Sequence, residues 1–320
     1  MNIGIDMMGG DFAPLEAVKG IISYLKTNAD SNLHFMLFGN AEILEPMLIS
    51  HSISEDVFTI VHAPQVIDMH EHPTKALKEK QESSIAVGFG YLAAGKTDAF
   101  ISAGNTGAML VGAMYSIKPV KGVLRPTISS IIPKQNGGTG LLLDVGLNAD
   151  CKPEQLNQFA VMGSVYAETV LGVKNPKVAL LNVGEEEGKG NILTQGAYQV
   201  LKNNELIHFI GNAEGRDAFN DKADVMVCDG FTGNIILKMA ESIYEIALNE
   251  NIDNEYFNRF NFEIYGGTPV LGVAKPVIIG HGISHDVAFA NMIDVAAKMV
   301  NTHVLDKVEE AIAKLQTSAA

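Results

Sequence analysis

Short, mostly apolar runs alternate with helical stretches along almost the entire chain, and that alternation admits few architectures. The strand-like runs are "NIGID" (2–6), "LHFMLFG" (33–39), "VFTIVHA" (57–63), "DAFISAG" (98–104), "PTISSIIP" (126–133), "GLLLDVG" (140–146), "KVALLNVG" (177–184), "IHFIGN" (207–212) and "ADVMVCDG" (223–230). Helical periods fit 14–27, 75–94, 153–171, 192–203, 235–249 and roughly 285–315. Strands apolar on both faces need cover on both, so the pattern predicts an α/β fold with three layers, αβα, around a mostly parallel sheet. At 320 residues and 47% hydrophobic content a large core is available. We expect a single catalytic α/β unit over 1–320, in one piece or as two closely packed lobes. No 20–50-residue repeat, low-complexity segment or rich Pro/Gly/Ser linker interrupts it.

The punctuation says more than the elements. Strand after strand ends in a glycine turn with a polar residue: "GGD" (9–11), "SAGNTG" (102–107), "DVGLN" (144–148), "GEEEGKGN" (184–191) and "DGFTGN" (229–234). In an open α/β sheet ligands bind beyond the carboxyl ends of the strands, where such turns gather. Helix N-termini following them offer N–H groups to anions.

Net charge of −14 argues against nucleic acid as a partner, because phosphate backbones demand clustered Lys and Arg. Locally the sign reverses: 99–143 holds no acid but contains Lys118, Lys121, Arg125 and Lys134. Two readings stand, a helix followed by a basic loop or a dock for an acidic partner. "MNIGIDMMGGDFAP" lacks the basic and apolar regions of a signal peptide. The uncharged run 99–117 is interrupted by Ser102, Asn105, Thr106 and glycines, which predicts a buried strand, turn and helix rather than a membrane span. Cys151 and Cys228 lie far apart without metal spacing, as expected in a reducing compartment with no disulfide framework. Cys228 falls in an apolar strand and reads as inert core, and Cys151 lacks an obvious base.

The loop "LLNVGEEEGKGN" approaches a nucleotide-binding P-loop and departs from it twice. Only three residues separate Gly184 from Gly188-Lys189, where four are needed, and Gly190 stands where a magnesium-binding hydroxyl belongs. Glu185, Glu186 and Glu187 would also repel a polyphosphate, so ATP and GTP hydrolysis are disfavoured. Lys189, between two glycines, is either a solvated lysine or one placed to reach a small anion. Thr232 and Asn234 stand at a helix start, where each can act as a cap; the Asn234 amide can also donate to a developing oxyanion. Asn105 and Thr106 likewise either cap a helix or present donors to a carbonyl or phosphate. Asp6, Asp11, Asp144 and Asp229 sit at strand ends, suited to capping amides or orienting lysines, without the close spacing of a metal cage. His281 and His285 read as structural, no G-x-G-x-x-G follows a strand and no G-x-S-x-G elbow occurs, so no metal or cofactor is assigned.

Taken together, "IDMMGGD", "SAGNTGA", "LLLDVGLN", "KPEQLNQFAVMGSVYAE", "LLNVGEEEGKGN", "FIGNAEGRD", "DGFTGN" and "YGGTPVLGV" resemble, in order over nearly the whole chain, the bacterial phosphate acyltransferase (PlsX) family. The resemblance implies transfer of a long-chain acyl group from acyl carrier protein to inorganic phosphate, giving acyl phosphate for phosphatidic acid and phospholipid synthesis. It implies a fold like that of phosphate acetyltransferases and of isocitrate/isopropylmalate dehydrogenases, and no cofactor. It also implies a cytoplasmic homodimer, peripheral at the inner face of the membrane, handing product to a glycerol-3-phosphate acyltransferase.

By resemblance, Lys189 serves the phosphate and the developing charge, and Asn234 orients or stabilises the intermediate. Gly188, Gly190, Asn191, Thr232 and Gly233 shape the anion site. Ser102, Gly104, Asn105 and Thr106 line the same crevice, while Asp11, Asp144 and Asn148 organise it. Lys75, Lys78 and Lys80, with Lys118, Lys121, Arg125 and Lys134, are candidates for docking the acidic carrier protein. Two departures from the family stand out. The 235–265 segment is a shortened helical excursion carrying Glu241, Glu245, Glu250, Asp253 and Glu255, which puts membrane contact there in question. Tyr256, Phe257, Phe260 and Phe262 remain available for an apolar patch or a dimer contact. The family's "DVGAN" reads "DVGLN", and Leu147 is expected to narrow the crevice. Two alternatives stay open, an NAD(P)-dependent decarboxylating dehydrogenase and a non-catalytic anion or carrier-protein scaffold.

Overall fold

A computed structural model describes residues 1–29 and 31–318. Among them the strands are β1 (Asn2–Asp6), β2 (His34–Gly39), β3 (Phe58–His62), β4 (Ala99–Ser102), β5 (Thr127–Pro133), β6 (Thr139–Leu143), β7 (Lys177–Leu181), β8 (His208–Ala213), β9 (Val225–Val227), β10 (Thr268–Leu271) and β11 (Val277–Ile279). The chain divides into two units, Met1–Lys118 with Phe262–Asn301, and Pro119–Asn261 with the chain from Thr302 onward.

In the first unit the strand order is β3-β2-β1-β4-β11-β10. All neighbours run parallel except β10, which is antiparallel to β11. Ile5 of β1 sits opposite both Leu37 and Ile101, and all three are buried, as strands apolar on both faces require. Phe100 packs edge-on against Phe38 and Phe89, at 5.8 and 5.1 Å between ring centres. The helices Leu15–Thr27 and Asp286–Asn301 pack on one another.

In the second unit the order is β5-β6-β9-β7-β8, with β5 antiparallel to β6 and the rest parallel. The helix Pro153–Thr169 buries Leu156, Phe159, Met162 and Tyr166, and packs on the helices Ile192–Lys202 and Val304–Ser318. In each unit the strands are thus mostly parallel and carry helices, in line with the expected α/β class.

Lys134, grouped by sequence with the basic docking region, is instead buried: its Nζ pairs with Asp224 Oδ1 at 2.6 Å. Burial opposes ionisation of Asp224, but hydrogen bonds from the Lys134 ammonium and the Lys177 N–H outweigh it and hold the carboxyl below its ordinary value. A depressed carboxyl stabilises the fold above its unfolded-state pKa, and that contribution is lost as pH falls through the folded value. Lys134→Met is expected to leave the Asp224 charge uncompensated, costing about 3 kcal/mol. Calorimetry should record that cost as a melting point lower by about 5 °C; an unchanged melting point would contradict the role of the pair.

Several boundaries differ from expectation. The 75–94 period is two helices, Pro73–Glu79 and Ser84–Ala93, because Ser83 caps the second by accepting the Ala86 N–H. The 285–315 period is also two, Asp286–Asn301 and Val304–Ser318, separated where His303 takes φ 52°. The helix Ala41–Ser50 and the strands β10 and β11 lie outside the expected elements. The uncharged run at 99–117 is β4, a turn and the helix Thr106–Gly112 with a further turn, as predicted. Among the described residues no helix is long and apolar enough to cross a membrane.

Candidate active site

Beyond β7 the chain closes a small loop from the inside. Asn182 accepts the Val183 N–H at 2.9 Å through Oδ1 and donates from Nδ2 to the Lys189 carbonyl at 3.1 Å. The Lys189 N–H donates to the Glu186 carbonyl at 3.0 Å. Gln195 Nε2 draws back the carbonyls of Gly188 and Gly190, at 3.1 and 3.0 Å. Gly190 takes φ +96°, and a methyl group there would fall 2.0 Å from Thr194 Oγ1 and 2.3 Å from Asn182 Oδ1, so only glycine fits. Asn191 then caps the helix Ile192–Lys202 by accepting the Thr194 N–H at 2.9 Å. The result leaves Lys189 exposed between its two glycines. Asn182 lies within the motif, but residue type does not mark it out, because its importance rests on a backbone partner seven residues away.

The three glutamates do not share one fate. Glu185 pairs with Lys222 at 2.5 Å, and Lys222 also holds Asp217 at 2.9 Å. Glu187 accepts from Gln199 at 2.9 Å and pairs with Lys202 at 3.0 Å. Those bonds, from Gln199 first and then Lys202, hold the Glu187 carboxyl below its ordinary value. Among the described residues neither the Glu186 carboxylate nor the Lys189 ammonium has an ion-pair partner.

The second feature is the β6 turn and the helix Gly230–Asn249. Asp144 is fully buried; Oδ1 accepts the Gly146 and Leu147 N–H groups at 3.1 Å each, and Oδ2 accepts the Asn148 N–H and Nδ2 at 2.7 Å each. Asn148 Nδ2 also donates to the Pro126 carbonyl at 2.8 Å. Asp144 and Asn148 therefore organise the turn, and both Asn148 amide protons are spent inside it. The cap of the following helix is Asp229, accepting the Thr232 N–H at 2.8 Å and its hydroxyl at 3.0 Å. This corrects the capping role considered for Thr232 and Asn234: the helix starts at Gly230, and both lie within its first turns. At residue 233 a methyl group would fall 1.9 Å from the Asp144 carbonyl oxygen, so glycine lets helix and turn touch. Asn234 Nδ2 donates to the Val145 carbonyl at 3.2 Å, and the residue is exposed, which leaves one amide proton for another acceptor.

Neither cysteine supplies a nucleophile. Burial, then the neighbouring charges of Asp144 and Asp229, pushes the Cys151 thiol up to about 12. Cys228 is buried and raised by the same causes.

In the first unit Ser102 does not present its hydroxyl to a ligand, as sequence suggested. It is buried, donates to Asp6 Oδ2 at 2.6 Å and accepts the Gly104 N–H at 2.9 Å. Burial pushes the Asp6 carboxyl up against the pull of that hydroxyl and of the Met8 N–H. Asn105 is spent as well: it caps the helix Thr106–Gly112 through the Ala108 N–H at 2.9 Å and donates to the carbonyls of Asp68, Met69 and Glu71. Thr106 and Asp11 are exposed. His285 binds Glu263 at 2.9 Å and stacks on Phe12, and His281 lies beside Phe262, which fits structural roles.

Among the docking candidates Lys75, Lys78, Lys118, Lys121 and Arg125 are exposed, with no ion pair among the described residues. Lys80 is engaged by Glu71 at 2.5 Å and the Val66 carbonyl at 2.6 Å, and Lys134 is buried, so both leave that group. The aromatic patch also divides. Phe260 is buried against Phe219 and Tyr256, whereas Phe262 belongs to the first unit.

Comparison with known proteins adds a lineage to this geometry. The model of a family described as "Fatty acid synthesis protein" matches residues 1–307. The chain is 44% identical to the phosphate acyltransferase of Dictyoglomus turgidum over 98% of both chains. Among solved structures it resembles a phosphotransacetylase from Streptococcus pyogenes, with a TM-score of 0.68 and 15% identity over 94% of each chain. It also resembles a proposed 4-hydroxythreonine-4-phosphate dehydrogenase from Salmonella typhimurium, with a TM-score of 0.53 and 10% identity over 93% of this chain and 99% of that one. At such identities the two structures speak for the fold alone, and it is the fold that the sequence implied.

Proposed function

The chain belongs to the phosphate acyltransferase family, and we propose that it carries a long-chain fatty acyl group from acyl carrier protein to inorganic phosphate. The observation that carries this reading is the Lys189 ammonium, exposed between two glycines without a carboxylate partner among the described residues. A loop holding three acids would be a poor anion site if they neutralised its lysine; two of them face other lysines instead.

In the reaction a phosphate oxygen attacks the thioester carbonyl, the carbon–sulfur bond breaks and the thiolate leaves. The proton retained by hydrogen phosphate ends on that thiolate, so the products are acyl phosphate and free carrier thiol. Phosphate is already an anion near neutral pH, so the protein needs to hold it rather than deprotonate it. Lys189 holds phosphate and offsets charge as it shifts toward the carbonyl. Asn234 donates its remaining amide proton to the tetrahedral oxyanion. Gly188, Gly190, Asn191, Thr232 and Gly233 shape the two turns, and Asp144 with Asn148 keeps the second rigid. Thr106 and Asp11, the exposed members of the first-unit set, stay assigned to substrate contact.

Purified protein, given acyl carrier protein thioester and phosphate, should release thiol and acyl phosphate in proportion. Thiol release that ignores phosphate, or carrier binding without turnover, would refute the assignment. For the carrier, Lys75, Lys78, Lys118, Lys121 and Arg125 supply the exposed cations an acidic partner needs. Contact with the inner face of the membrane, homodimer formation and hand-off to a glycerol-3-phosphate acyltransferase belong to the same proposal. Phe231, Ile235, Met239 and Ile246, exposed at helical spacing, support an apolar contact of that kind.

A further inference from the structure

We propose that Glu186 is the anion-specificity residue of the loop, accepting the hydrogen bond that hydrogen phosphate can donate and sulfate cannot. The inference rests on the loop being the phosphate site.

The geometry sets Glu186 apart from its neighbours. Glu185 and Glu187 are each occupied by a lysine from elsewhere in the unit, Lys222 and Lys202. Glu186 has its backbone fixed instead: its carbonyl accepts from the Lys189 N–H at 3.0 Å and from Asn212 Nδ2 at 2.9 Å. Its side chain then returns over Gly184. The point where a side chain on Gly184 would begin lies 3.1 Å from Glu186 Oε2, 3.0 Å from Lys189 Cγ and 3.4 Å from Lys189 Cδ. The bare face of that glycine thus receives a carboxylate and the stem of the anion-binding lysine together. They do not form an ion pair, so the ammonium keeps its charge for a ligand and the carboxylate keeps its lone pairs.

An acceptor-only group beside a cation is a liability toward most anions, because it repels them. Phosphate is the exception near neutral pH: it keeps at least one O–H, and that proton can bridge to a carboxylate while the other oxygens face the ammonium. Sulfate has the same size and tetrahedral shape and no proton to offer, so it meets the carboxylate as bare repulsion. An unpaired acceptor at the site therefore favours the true co-substrate over its commonest mimic. Wrong ligands are rejected here by a group left without a partner, not by size.

The test is sulfate inhibition of the phosphate-dependent thiol release, read as the ratio of sulfate Ki to phosphate KM. In the unaltered protein that ratio should be large. In Glu186→Gln the carboxamide can donate to sulfate as well as accept from phosphate, and the ratio should fall about tenfold or more, the scale of one hydrogen bond to a charged group. Glu186→Ala should also lower the ratio, through a higher phosphate KM and the loss of repulsion. Glu185→Gln and Glu187→Gln, altering acids already claimed by lysines, should leave the ratio within about twofold of the parent. An unchanged ratio in both Glu186 variants overturns the proposal, as do equal shifts in all three positions, which would mean general charge rather than one acceptor. Lys189→Ala separates the two levels. If it loses phosphate dependence while Glu186→Gln keeps its discrimination, only the role of Glu186 fails; normal phosphate dependence without Lys189 overturns the site and the proposal together.

Discussion

Lys189→Ala is expected to lower phosphate-dependent thiol release by about 10²–10³, the scale of losing one preorganised charge stabiliser at a reacting centre. Folding should be untouched. The Lys189 side chain is exposed, has no hydrogen bond to its ammonium among the described residues, and belongs to a loop tied down through its backbone by Asn182 and Gln195. Thermal melting of the variant should therefore match the parent while turnover collapses, and that pairing is diagnostic. Both KM for phosphate and kcat should suffer, because the ammonium attracts the anion before reaction and offsets its moving charge during it. Lys189→Arg should recover only part of the loss, since a planar guanidinium fork does not replace a compact ammonium between two close-set glycines. A folded Lys189→Ala with near-parental turnover would remove the central residue of the proposed mechanism.

Asn234→Ala is expected to cost a similar 10²–10³, confined largely to kcat at saturating phosphate, because an oxyanion donor acts only once the oxyanion forms. The side chain is exposed, and its bond to the Val145 carbonyl is a single contact at 3.2 Å, so the stability change should be small. Asn234→Asp is the sharper comparison. It keeps the volume, removes both amide protons and sets a negative charge where charge must develop, so it should be slower than the alanine variant. A rate in Asn234→Asp equal to the parent's would show that no oxyanion is stabilised there.

The sequence disclosed the layers but not all their edges. β1, β2 and β4 were legible because most of their residues are buried, leaving short, largely apolar runs. β10 and β11 were not, since four and three residues set among "YGGTPVLGVAKPVIIG" carry more turn signal than strand signal. The helix Ala41–Ser50 hid behind Pro46, which normally argues against a helix interior. At the site, the glycine turns and Lys189 could be read directly, because their chemistry lies in residue type and spacing. The fates of the glutamates could not: Lys202 and Lys222 lie 15 and 37 residues from the acids they bind. The same holds for Asp144, whose partners are backbone N–H groups that no side-chain pattern announces. Ser102 and Asn105 matched the family pattern and still proved to be internal fastenings, since a motif names a position without saying which way its polar atoms point.

The contact of Gly233 with the Asp144 carbonyl reaches beyond local packing. Backbone touching backbone fixes how far the helix Gly230–Asn249 can slide or roll over the turn, and Asn234 is the next residue along. The aim of its amide is therefore inherited from a pedestal without side chains, and rotamer changes nearby leave that aim alone. Such a mount separates aim from chemistry. The backbone of residue 234 is placed by that contact whatever side chain it carries, provided 233 stays glycine.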